Sequence, residues 1–104
     1  MDPRAPERKE TPMHALVVNV TIDSGHEKDA RTHLETNVVP RVKEAPGVVS
    51  GYWTESADGQ HGASVILFES EEKARAGAQM AQNAPRPEFV HFDLVDVREV
   101  VAQI

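Results

Sequence analysis

HALVVNVTI, residues 14–22, alternates without a break: Leu16, Val18, Val20 and Ile22 fall on one face, Ala15, Val17, Asn19 and Thr21 on the other. Period-two alternation rich in β-branched side chains is the pattern of a strand. Both faces are largely apolar, whereas a strand with one wet face would carry charge at alternate positions. Each face of the sheet is therefore expected to meet another layer.

Downstream, Ser24-Gly25-His26-Glu27 has the S-x-x-E form of a capping box and predicts a helix start. Ala30, Leu34, Val38 and Val42 repeat every four residues and give that helix one buried stripe, with Pro40 expected to kink or break it and Pro46-Gly47 to end it. VVSGYWTE at 48–55 reads as a second strand, Asp58-Gly59 as a hairpin tip, and 63–69 as a third strand. Ser70 followed by Glu71 and Glu72 predicts a second helix start, because acidic side chains oppose the positive end of the helix dipole. Ala74, Gly77, Ala78 and Ala81 form a small-residue stripe that lets this helix lie close to the sheet. At 89–97, Val90, Phe92 and Leu94 alternate with Phe89, His91, Asp93 and Val95.

The order strand, helix, strand, strand, helix, strand specifies an α+β, ferredoxin-like βαββαβ protomer: one four-stranded antiparallel sheet with two helices on one face. The opposite face, to which alternation assigns Val17, Ile66, Phe68, Phe89 and Val95, also needs a cover. A second copy of the chain is the simplest one, making a homodimer whose sheets meet face to face.

A chain of 104 residues with 39% hydrophobic and 27% charged content fits one domain, residues 13–104. Such a chain buries only roughly 60–65% of the surface its unfolded form exposes, so its core is marginal unless something enlarges it. There is no cysteine to staple it. Residues 1–12, MDPRAPERKETP, carry three prolines and six charges and are expected to form a flexible tail, with Met13 as the start of the domain proper. A net charge of −6 without a basic cluster argues against nucleic acid and anionic membrane as partners and suits a small neutral or hydrophobic molecule. With no signal peptide or apolar span in view, a cytoplasmic location is the expectation.

MHALVVNVTID at the first strand, VVPRVKEAPGVVSGYW across the first helix and second strand, and FESEEKARAGA at the third strand and second helix resemble the dimeric α+β barrel superfamily. Within it, the chain resembles the antibiotic biosynthesis monooxygenase-like proteins, many of whose members have no assigned reaction. The resemblance implies a ferredoxin-like protomer, a barrel closed by two protomers, and a pocket between each sheet and its covering helices or loops. It also implies either cofactor-free oxygenation of aromatic molecules or, in a haem-degrading branch, a site of Asn, Trp and His. Asn19 stands at the matching place on the first strand, but Phe68 replaces the Trp and Ala78 and Gln79 occupy the region of the His. Haem binding by that route lacks its iron ligand, so no cofactor is expected.

Of the residues that remain, Asn19 offers a donor and an acceptor to orient a carbonyl or phenolate, and His91 is the general-base candidate. Phe68, Trp53 and Tyr52 are candidates to contact a flat ligand, although Tyr52 and Trp53 point to opposite faces and only one can line a given cavity. No pair of histidines has metal-site spacing, and phosphate-loop, dinucleotide and serine-hydrolase signatures are absent. Two functions follow: a cofactor-independent oxygenase of a small aromatic substrate working through His91 and Asn19, or a non-catalytic module of the same fold that binds a small hydrophobic molecule or serves dimerisation.

Overall fold

A computed structural model describes residues 12–104. The expected flexible tail lies, apart from Pro12, outside the described residues. The elements are β1 (His14–Ile22), α1 (Glu27–His33), a π-helical turn (Leu34–Val38), α2 (Val39–Lys43), β2 (Val48–Glu55), β3 (His61–Phe68), α3 (Glu71–Asn83) and β4 (Val90–Glu99). The four strands form one antiparallel sheet in the order β2-β3-β1-β4. This is the ferredoxin-like arrangement that the alternation and stripes predict.

Helix starts follow the local chemistry in one case and depart from it in the other. Ser70 caps α3, its side chain accepting the Lys73 N–H at 3.2 Å, with Glu71 and Glu72 in the first turn. The capping box at Ser24 does not form. The cap position of α1 is His26, which makes no side-chain cap bond, and Glu27 instead accepts the Gly25 N–H at 3.1 Å. Pro40 does not break the first helical segment; the helix widens into the π-turn just before it and resumes as α2 with Pro40 in its first turn. A proline crowds the carbonyl four residues earlier, and the wider turn relieves that crowding.

Paired residues share a face, so the register assigns each side chain. Leu16–Ile66, Val18–Ser64 and Val20–Gly62 are opposed across β1 and β3 and face the helices. Ala15–Leu67, Val17–Val65 and Asn19–Ala63 face the other way. Ile66 and Phe68 therefore belong to the helix side, contrary to the expectation from alternation, which fixes period but not the phase of one strand relative to the next. Val95 also changes side. Leu94 pairs with Asn19 while Phe92 pairs with Val20, leaving Asp93 as an extra residue in β4. This bulge reverses the alternation, so Val95 and Val97 pack on the helix-side core.

That core is Leu16, Ile66, Phe68 and Ala74, with Val18, Val42 and Trp53 among the half-buried residues packed on it. Phe68 is its largest fully buried side chain, a burial that stabilises by about 1.5–3 kcal/mol. It fits because Gly77 of α3 has no side chain: a Cβ there would lie 2.5 Å from Phe68 Cζ. The opposite face lacks a covering element among the described residues, and Tyr52 is 70% and Val65 40% exposed on it.

Gly77→Ala is expected to destabilise the fold by about 1–3 kcal/mol through overpacking, read as an earlier midpoint in urea unfolding. Phe68→Leu in the same chain should recover part of that loss, since the two residues touch. An unshifted midpoint in the single variant would mean that α3 stands farther from the sheet.

Candidate functional site

Helix α3 lies close to the sheet because its facing residues, Ala74 and Gly77, are small. The first helical segment presents larger side chains from its stripe, and between them and the sheet a cavity of about 180 Å³ opens. Leu34, Val38 and Val42 form its helical wall, while Val18, Val20 and Trp53 form its floor. Phe68 closes one part, and Met80, Val90 and Phe92 contribute from α3 and β4. An apolar cavity of about 150 Å³ stays dry and accepts benzene, so this one has room for a ring-sized body.

Polar side chains reach the cavity at few points. Arg31 of α1 forms an ion pair with Glu55 at the end of β2, and both line the cavity. Arg41 from α2 and Arg86 from the α3–β4 connection line it as well. The Arg86 guanidinium lies 4.3 Å over the Phe92 ring. His33, the last residue of α1, is half-buried, and its Nδ1 lies 3.0 Å from Asn37 Nδ2. With the Asn37 amide donating, Nδ1 is the acceptor and the ring proton sits on Nε2. Burial, and secondarily the charge of Arg41, holds the His33 imidazole below its ordinary pKa.

The residues expected to form one site are divided between the two faces of the sheet. Phe68 and Trp53 line the cavity. Tyr52 pairs with Val65 on the uncovered face, so of the two adjacent aromatics Trp53 is the one at the cavity. Asn19 lies on the uncovered face beside Ala63 and Leu94. His91 pairs with Thr21 on that same face, is exposed, and places Nε2 2.9 Å from Asp23 Oδ1. Neither Asn19 nor His91 lines the cavity. His33 does, although its place beside the apolar stripe marks it only as surface or border. The signal was available: His33, Asn37 and Arg41 recur every four residues, one position before Leu34, Val38 and Val42.

The cavity does not fit haem bound through the second helix. Gly77, Met80 and Ala81 are the α3 residues at its wall, with no imidazole or thiolate among them. Phe68 also occupies the space beneath Gly77. Among the described residues, no group of three His, Cys, Asp or Glu side chains is placed to hold a metal ion, and no helix is long and apolar enough to cross a membrane.

A histidine that resists protonation in the folded chain takes up its proton more readily when unfolded. The stability involved is therefore present at neutral pH and lost as pH falls from the ordinary imidazole value of about 6.5 towards the lower value of His33. The C2 proton of His33 should titrate below that value by NMR, and His33→Gln should flatten the fall in urea midpoint between pH 7.5 and 5 (about these values). An ordinary midpoint would show that the ring is solvated.

No family model and no curated protein matches the sequence. Solved structures do match in fold. A candidate monooxygenase of Shewanella loihica PV-4 superposes with a TM-score of 0.66 at 15% identity, over 89% of this chain and 98% of that one. The haem degrader MhuD of Mycobacterium tuberculosis, with two haems bound in its active site, gives 0.65 at 17% identity, over 89% and 99%. A candidate antibiotic biosynthesis monooxygenase of Chloroflexus aurantiacus J-10-fl gives 0.61 at 15%, over 88% and 96%. At these identities the likeness is one of fold: this chain has the ferredoxin-like α+β fold of the antibiotic biosynthesis monooxygenase-like structures.

Proposed function

We propose that this chain is a homodimeric small-molecule-binding protein that holds a flat, predominantly apolar molecule, aromatic by preference, between its sheet and its first helical segment. The cavity carries this reading. Protein interiors tolerate few voids larger than a water molecule, and an empty enclosed void costs about 24 cal/mol per Å³. For a volume of about 180 Å³ that approaches a ceiling of about 4 kcal/mol, a large share of the ~5–15 kcal/mol that stabilises a domain. The cavity is open to solvent, which lowers the cost, but apolar walls around Trp53 and Phe92 still favour an apolar occupant.

The dimer rests on the uncovered sheet face. Val17, Val65, Leu67 and Leu94 present apolar surface there, with Tyr52 standing out from it. A second copy would bury this face and enlarge a core that is small in the single chain.

Cofactor-independent oxygenation of the bound aromatic is the second reading, and His33 is the observation that favours it. Such chemistry needs a base to take a substrate proton so that the resulting carbanion can pass electrons to oxygen. His33 is held neutral at the cavity wall, although its Nδ1 lone pair receives the Asn37 amide and would have to be released first. Binding alone makes no such demand, and the geometry favours it.

Native mass spectrometry and light scattering at micromolar concentration should give a dimer, and Tyr52→Glu combined with Val65→Glu should shift it to monomer; a monomeric parent chain would overturn the assembly. Oxygen uptake with polycyclic phenols in the presence of a chelator should not exceed the buffer rate. Uptake that drops about 100-fold in His33→Ala, the scale of a lost general base, would establish the oxygenase reading instead.

A further inference from the structure

The chain carries 17 acidic and 11 basic side chains, yet the formal charges lining the cavity run the other way. They are Arg31, Arg41 and Arg86 against the single carboxylate of Glu55. Glu55 is committed to Arg31. Among the described residues, neither Arg41 nor Arg86 has a carboxylate partner. Two nearby acids are otherwise engaged: Asp58 of the β2–β3 hairpin accepts from Ser56 and Gln60, and Glu27 at the start of α1 accepts from Gly25 and Gln60.

We propose that the occupant of the cavity is an amphipathic anion, a flat apolar body bearing a carboxylate or comparable negative group that Arg41 and Arg86 receive. The inference deepens the proposed binding role and rests on it. A neutral ligand offers these guanidiniums at most ordinary acceptors and no counter-charge, whereas an anion pairs with them through hydrogen bonds of about twice the neutral strength. Arg86 is already braced over the Phe92 ring, and a guanidinium so stacked keeps its edge donors free while losing less freedom on binding. Arg41 acts on the same wall electrostatically: the field that disfavours a second positive charge on His33 favours a negative charge beside it. The overall charge of −6 does not oppose this, because charges beyond about 8 Å are largely screened at physiological ionic strength.

Trp53 is the only tryptophan of the chain and lines the cavity, so its fluorescence reports occupancy. Two probes of nearly equal shape, 2-naphthoate and 2-naphthamide, separate charge from apolar fit. The naphthoate should bind at least about tenfold more tightly. That preference should fall to within about twofold in the Arg41→Gln, Arg86→Gln double variant, and between about 50 and about 500 mM salt only the naphthoate should weaken. Equal affinity of the two probes for the parent chain would overturn the anion while leaving the cavity a binding site. No response of Trp53 to either probe would overturn both. Should the double variant fail to fold, the comparison on the parent chain still decides.

Discussion

The contact between Phe68 and Gly77 governs the rest of this molecule. Because a Cβ at position 77 would meet the Phe68 ring at 2.5 Å, α3 can lie this close to the sheet only because position 77 carries no side chain. The first helical segment has no comparable glycine on its facing stripe; it offers Leu34, Val38 and Val42. One helix therefore sits close and the other stands off. The cavity is the space this difference leaves, so close packing on one side of the helical layer and an opening on the other have one origin.

Much of this was legible in the chain. The alternation of β1, the four-residue stripe of the first helix, the Ser70 cap and the small-residue stripe of α3 are local patterns, and each formed where the residues indicated. Apart from the Ser24 capping box, which does not form, the departures are relational. Alternation in β3 shows that Ile66 and Phe68 share a face but not that this face is that of Leu16, which depends on register. Asp93 looks like any other polar residue of an alternating strand, yet as a bulge it moves Val95 to the helix side. Asn19, His91 and Phe68 are sound candidates one at a time, but proximity decides chemistry, and the sheet itself separates Phe68 from the other two. A histidine beside an apolar stripe, such as His33, reads as surface or border, and only the stand-off of the helix gives that border a cavity to look into.

The division of the sheet also explains how the fold can be shared at 15–17% identity. One face needs only apolar side chains in alternation, and the other needs a close helix and a distant one. Neither requirement names the residues at the cavity wall. Those residues are free to differ without disturbing the architecture, and in this chain they include arginines and a half-buried histidine, with no imidazole on α3. Function must be argued from the wall and not from the frame.

The bulges have a further consequence. Besides Asp93 in β4, Val49 is an extra residue in β2, set between Val48, which pairs with Phe68, and Ser50, which pairs with Leu67. These are the two outer strands of the sheet, which among the described residues are the ones that present an unpaired edge to a passing chain. A bulge twists a strand and interrupts the even ladder on which another strand would template itself. Both ends of the sheet are thus blunted against open-ended, fibril-like growth, in a chain whose other apolar sheet face has no cover among the described residues.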